Sequence, residues 1–284
     1  MATITNQAAL SYNGITTLSN IAVGELVEVL TVTKTAADTT YTPGGTKTYA
    51  ISLVNSGAAA FTGLTITDTL GSYAFNNGTL YPLTYVTGSL LYYVNGILQA
   101  TPAIADTAPL TVTGLSVPAG GSAMLVYSAT VNEFAPLGVE DSIVNTVSVT
   151  GGGLAAPVTA TETINASTTP QLSISKSICP ATIAENGTLT YTLTLQNRGN
   201  TAATASDELV ITDTFDPILK DLSVSFNGTV WTEGVHYTYD AATGAFATVT
   251  GALTVPAATY TQDTTTGIYT VDPGISNLVI TGTL

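Results

Sequence analysis

Leu64-Thr65-Ile66-Thr67-Asp68-Thr69-Leu70 returns as Leu209-Val210-Ile211-Thr212-Asp213-Thr214-Phe215. Each copy alternates apolar with polar side chains, the period of a strand with one face on a core. Working outward, Leu30-Thr31-Val32-Thr33-Lys34-Thr35 matches Leu172-Ser173-Ile174-Ser175-Lys176-Ser177, and Thr48–Gly57 matches Thr190–Gly199. Val94-Asn95-Gly96 lines up with Phe226-Asn227-Gly228 as hairpin turns, and Ser122–Tyr127 with Ser276–Thr281. Asn55-Ser56-Gly57 and Asn197-Arg198-Gly199 read as turns in which Asn or Gly accepts a positive φ. Segments repeated in one order are the mark of duplicated units. Short Thr/Val/Ile/Tyr runs broken by Gly, Pro and Asn make both units all-β, and no window holds a helical period. The expected organisation is an N-terminal arm over 1–23, a first β-sandwich over 24–165 and a second over 166–284.

The arm decides how the units are used. Ile4-Thr5-Asn6-Gln7-Ala8-Ala9-Leu10-Ser11-Tyr12 reads like Ile143-Val144-Asn145-Thr146-Val147-Ser148-Val149-Thr150-Gly151, the segment that closes the first repeat. Each is followed by a glycine-bearing turn and a second run, Ile15–Val23 or Pro157–Ile164. The second repeat reaches Leu284 without an equivalent segment. A sandwich short of a strand leaves unpaired backbone groups and an open groove. The arm of one molecule is therefore expected to complete the second sandwich of another, with Ile4, Ala8, Leu10 and Tyr12 as its interface.

Composition narrows the function. The 284 residues carry a formal charge of −14 with five Lys and Arg, which excludes the basic footprint of a nucleic-acid binder. No apolar run reaches the length of a membrane span, and Met-Ala-Thr-Ile-Thr-Asn lacks the basic and apolar regions of a signal peptide. The chain is then expected either to stay in the cytoplasm or to leave by an unusual route such as lysis of the producing cell, and the expected location is extracellular or on a spore surface. Cys179 is the single cysteine, so no intrachain disulfide forms. His236 stands without a second metal ligand, and the acids Asp38, Glu133, Glu140 and Asp141 lack the alternation of a calcium loop. No metal, cofactor or enzymatic site for an external substrate is expected.

One constellation carries chemistry. Strand parity sets Lys34 with Leu30 and Val32, Asp68 with Leu64 and Ile66, and Asn145 with Ile143 and Val147. The second repeat offers Lys176 and Asp213, and the arm offers Asn6 among Ile4, Ala8 and Leu10. The chain has only four lysines, yet each repeat points one at its core. Burying an ammonium is costly even beside a carboxylate. The chemical way out is attack of the amine on the Asn amide, with loss of ammonia and formation of a neutral isopeptide. Asp68 and Asp213 would act as proton relays, and near-contact supplies the effective concentration. The crosslinks expected are Lys34–Asn145 within a chain and Lys176–Asn6 between chains. The same residues also suit a hydrogen-bonded triad without a bond.

The run Lys, Thr-Tyr, Asn-x-Gly, Thr-Asp-Thr-Leu/Phe, Pro-Gly or Pro-Ala-Gly and Asn-Thr resembles bacterial surface-repeat domains of immunoglobulin-like fold (domain of unknown function eleven). The buried Lys, Asp and Asn resemble the self-crosslinking domains of Gram-positive pilins, in which Lys and Asn sit on first and last strands. The resemblance implies a structural role in stalks, adhesins or surface layers. A head-to-tail fibre subunit is the leading reading. A monomeric adhesin with loops Gly71–Thr84 and Tyr237–Gly244, and a cytosolic two-domain protein with its arm folded back, are the others.

Overall fold

The computed structural model describes residues 2–284. Its N-terminal arm is one long hairpin. Strand β1 (Ala2–Asn6) pairs with β4 (Ala22–Leu26), and β2 (Ala9–Tyr12) pairs with β3 (Ile15–Leu18). Asn13 and Gly14 turn the chain with φ of 47° and 76°, the left-handed pair that a two-residue hairpin loop demands. Asn6 lies opposite Ala22 and Ala9 opposite Leu18, so the returning strand carries one extra residue between them. The Ser19 N–H donates to the Ala8 carbonyl there at 2.8 Å, keeping the two halves joined.

The first sandwich stacks two sheets. Its strands are β5 (Leu30–Ala36), β6 (Thr40–Tyr41), β7 (Thr46–Asn55), β8 (Phe61–Asp68), β9 (Tyr73–Phe75), β10 (Gly78–Leu80) and β11 (Leu83–Tyr85). They continue with β12 (Leu91–Val94), β13 (Ile97–Leu98), β14 (Ala103–Thr107), β15 (Leu110–Val117), β16 (Ser122–Val131), β17 (Ser142–Gly151) and β18 (Val158–Ala166). One sheet runs β13-β12-β16-β7-β5, with β11 also on β16, and the other runs β14-β15-β8-β17-β18-β6. Alternate residues of both sheets, among them Tyr49, Ile51, Leu64, Ile66, Leu125, Val147 and Val149, fill the space between. The hairpin β17–β18 closes the unit. Asn145 thus lies on the penultimate strand, inside its sheet, and not on the last strand as the pilin resemblance implies; β18 continues beyond it to reach Tyr41 of β6.

The second unit has β19 (Leu172–Cys179), β20 (Thr188–Asn197), β21 (Thr212–Thr214), β22 (Lys220–Phe226), β23 (Thr229–Trp231), β24 (Tyr237–Asp240) and β25 (Ala245–Thr248). The hairpin β26 (Thr259–Gln262) and β27 (Tyr269–Asp272) and then β28 (Gly274–Thr283) follow. One sheet is β19-β20-β28-β22-β23 and the facing one is only β21-β25-β24. The chain is therefore all-β, two tandem sandwiches of immunoglobulin-like type. In the first unit Asp68 of β8 lies between Leu110 of β15 and Val147 of β17. In the second, Asp213 pairs with Phe246 of β25, and no strand among the described residues pairs along its other side.

Two sequence expectations change in detail. Tyr127 pairs with Tyr49, and Ile280 pairs with Tyr191, so Ser122–Tyr127 corresponds to residues one earlier than Ser276–Thr281. The shared serine misled because the inward face, not one identity, fixes the register. Asn55-Ser56-Gly57 and Asn197-Arg198-Gly199 are not positive-φ turns. Their asparagines are buried clasps: Asn55 Nδ2 donates to the carbonyls of Ala59 and Pro118 at 2.8 and 2.9 Å, and Asn197 Nδ2 to those of Thr201 and Pro256 at 2.7 and 3.0 Å. The glycines permit close approach, since a Cβ on Gly199 would meet the Thr169 carbonyl at 2.2 Å.

The hairpin β26–β27 crosses to the first unit. Tyr260, Tyr269 and Val271 pack on the first core. Gln262 Nε2 donates to Tyr73 Oη at 2.9 Å, and the Tyr269 N–H donates to the Glu133 carbonyl at 2.9 Å. Buried Asn200 donates to the Leu137 carbonyl at 3.0 Å.

Candidate functional site

In the first sandwich Lys34 pairs with Asp68, and Tyr127 links Asp68 to Asn145. β5 brings Lys34 from one sheet, while β8 and β17 bring Asp68 and Asn145 from the other. All three are buried. Lys34 Nζ lies 2.6 Å from Asp68 Oδ2, and neither side chain is exposed. Burial pulls the Lys34 ammonium down to about 8, against the opposing pull of Asp68 and Glu162. A buried amine with that value spends a useful fraction of its time neutral near pH 8, and only the neutral form is a nucleophile.

Three further residues complete the cluster and were not singled out by the sequence. Tyr127 Oη donates to Asp68 Oδ2 at 2.7 Å and accepts from Asn145 Nδ2 at 3.1 Å. Its ring stacks on Tyr49 with centroids 5.5 Å apart. Asn145 Oδ1 accepts from the Gly71 N–H at 3.2 Å and from Thr69 Oγ1 at 3.3 Å. Because a backbone N–H can only donate, that contact fixes which end of the amide is oxygen. The only sequence signals were the inward parity of Tyr127 with Leu125 and the Leu70-Gly71 turn after Thr69.

The second site is half built. Lys176 of β19 pairs with Asp213 of β21, and its ammonium sits 4.4 Å from the Tyr191 ring centroid and 5.4 Å from that of Phe215. The pair is open to water, with side-chain exposures of 38 % and 18 %, against zero for both in the first site. Every residue of β19 is exposed. Leu172 is 43 % exposed, where its counterpart Leu30 is 3 % exposed. Leu172, Ile174, Leu195, Leu209, Ile211 and Leu253 line an apolar groove beside it. Ile280 replaces Tyr127 in register.

Asn6 lies on the arm, and among the described residues the arm's strands pair only with one another. Residues 3–25 are exposed throughout, including Ile4, Ala8, Leu10 and Tyr12. One molecule thus joins a closed sandwich, an open one and an unpartnered hairpin. Among the described residues no cluster of three His, Cys, Asp or Glu side chains is placed to hold a metal, and no helix is long and apolar enough to cross a membrane.

No protein-family model matches the chain, and no curated protein matches it either. Solved structures do. The pilus backbone protein RrgB of Streptococcus pneumoniae is 12 % identical, with 86 % of this chain and 55 % of that one covered and a TM-score of 0.35. The chain thus spans little more than half of RrgB. BcpA, the major pilin subunit of Bacillus cereus, is 13 % identical over 96 % of this chain and 73 % of that one, with a TM-score of 0.37. A 35 kDa C-terminal fragment of a Streptococcus agalactiae major pilin is 13 % identical over 79 % of each chain, with a TM-score of 0.35.

Proposed function

We propose that the chain is the structural subunit of an extracellular or spore-surface filament that grows head to tail. The arm hairpin of one copy enters the open second sandwich of the next, where β17–β18 sits in the first. The observation that supports this reading is the contrast in exposure between equivalent positions, Leu30 and Leu172 or Lys34 and Lys176, together with an exposed hairpin that repeats the pattern of Ile143–Gly151. A two-stranded hairpin alone is marginally stable in water. Docking would remove Ile4, Leu10, Tyr12 and their neighbours from solvent at roughly 1.5–3 kcal/mol for each side chain fully buried. A heterologous contact of this kind propagates into open fibres unless its rotation closes a ring.

Covalent locks belong to the same reading. Lys34 and Asn145 form an amide inside each first sandwich, and Lys176 and Asn6 form one across each junction, with Asp68 and Asp213 relaying protons. Deleting residues 1–23 should give soluble chains that form no filaments by electron microscopy. Truncated chains that polymerise like the parent would exclude strand donation. The intact mass of assembly-blocked protein should fall one ammonia short of the sequence mass, and an unmodified mass would leave Lys34 as a hydrogen-bonding core residue.

A further inference from the structure

Both ends of the Asn145 amide are hydrogen-bonded, Oδ1 by Gly71 and Thr69 and Nδ2 to Tyr127, and Asp68 is not among those partners. We infer that Gly71 and Thr69 form an oxyanion hole for the Lys34–Asn145 reaction and that Tyr127 is the proton donor to the leaving ammonia. This rests on the crosslinking reading above. Two donors, the Gly71 N–H and the Thr69 hydroxyl, converge on the Asn145 Oδ1 that becomes negative when Cγ turns tetrahedral. Tyr127 Oη is the contact of Nδ2, the nitrogen that must leave. Asp68 Oδ2 touches both Lys34 Nζ and Tyr127 Oη, so one carboxylate oxygen connects nucleophile and leaving group.

The step balances through this chain. The ion pair first passes a proton from Nζ to Asp68, and the neutral amine adds to Cγ while the carbonyl electrons move to Oδ1. Nδ2 is then an amine with a free lone pair. It takes the Tyr127 proton as Tyr127 takes the one on Asp68, and the freed carboxylate removes a proton from the new Nζ–Cγ bond's nitrogen. The Cγ–Nδ2 bond breaks, the carbonyl re-forms and ammonia departs. Tyr127 ends as it began, and the amide lies beside a protonated Asp68.

The second site lacks the tyrosine. Thr214 and the N–H after Phe215 are present by the repeat match, but Ile280 fills the Tyr127 position. The Lys176–Asn6 bond would form without a tyrosine relay and more slowly than the first.

The test follows intact mass from brief induction onward in parent, Tyr127→Phe and Thr69→Val chains carrying the 1–23 deletion. The parent should be one ammonia light at the earliest point. Tyr127→Phe should start at full mass and lose ammonia about 100-fold more slowly, the usual size of a lost acid–base group. Thr69→Val should slow at least 10-fold, with the Gly71 donor still in place. Phe keeps the ring stack, and thermal unfolding checks that both variants fold. Should Tyr127→Phe not fold, Thr69→Val carries the test. A variant that folds and reacts as fast as the parent overturns the assignment. A parent at full mass overturns the crosslinking reading itself, and this assignment with it.

Discussion

At the residue scale, Lys34 explains why a chain so poor in cations keeps one at its core. A buried ammonium beside Asp68 is a poor source of stability, because desolvation offsets most of the attraction. Its lowered pKa gives a signed prediction. In an unreacted chain such as Asn145→Ala, the unfolded state binds more protons than the folded one between about 8 and the ordinary lysine value of 10.5. Stability should therefore rise as pH climbs through that window and lie at its low level below it. A parent crosslinked as proposed has no Lys34 amine to titrate, so its urea midpoint should lack this rise. An Asn145→Ala chain with a flat profile would mean that Lys34 is not held against its charge.

The inward parity of Lys34, Asp68 and Asn145 was legible because strand alternation is local and each sits in an unbroken apolar run. Tyr127 was not, since its partners arrive from β8 and β17 and its register depends on Tyr49 across the sheet. Asn55 and Asn197 were misread for the same reason. An Asn-x-Gly run looks like a turn until the carbonyls it clasps, at Pro118 and Pro256, are brought in from distant strands.

At the element scale, the arm hairpin matches in side-chain pattern the side of β21, and of the residues just before it, that no strand pairs among the described residues. Setting Asn6 on the Asn145 position places Ala8 opposite Asp213, Leu10 opposite Ile211 and Ser11 opposite Val210, copying the pairing of β17 with β8. The extra residue of the arm lies in its returning strand, so the spacing from Asn6 to Tyr12 is undisturbed. Ala22 would stand where Glu162 stands, which leaves Lys176 with Asp213 as its one carboxylate. Asn6→Ala or Lys176→Ala should collapse an oligomer ladder on a denaturing gel to monomer while filaments persist, because docking and bonding are separate steps. Filaments of the parent that dissolve wholly to monomer in hot detergent would exclude the junction bond. The arm's apolar pattern was visible in the sequence. That both of its strands form one hairpin follows from the Asn13-Gly14 turn and the long-range pairing of β1 with β4.

At the scale of the whole molecule, β26–β27 ties the sandwiches together. Tyr269 packs on the first core, and its N–H is bonded to Glu133. The bond from Gln262 to Tyr73 adds a second anchor. A Tyr269→Ala, Gln262→Ala chain should lose roughly 2–4 kcal/mol of this coupling from lost ring packing and one hydrogen bond. Calorimetry should then show two separated transitions in place of a merged one, and an unchanged trace would mean the hairpin does not couple the units. This contact had no sequence signature, since the inserted hairpin has no partner in the first repeat to be matched against.

The claim that one copy completes the next is tested most directly by cysteine pairing between differently marked chains. With Cys179→Ser as background, a Ser11→Cys chain and a Val210→Cys chain of different mass are co-expressed and oxidised. The account predicts a disulfide-linked heterodimer joining the two marks, because Ser11 and Val210 become outward-facing neighbours at the junction. No such heterodimer, combined with a disulfide closed within single chains that carry both substitutions, would contradict it and assign the arm to its own second sandwich.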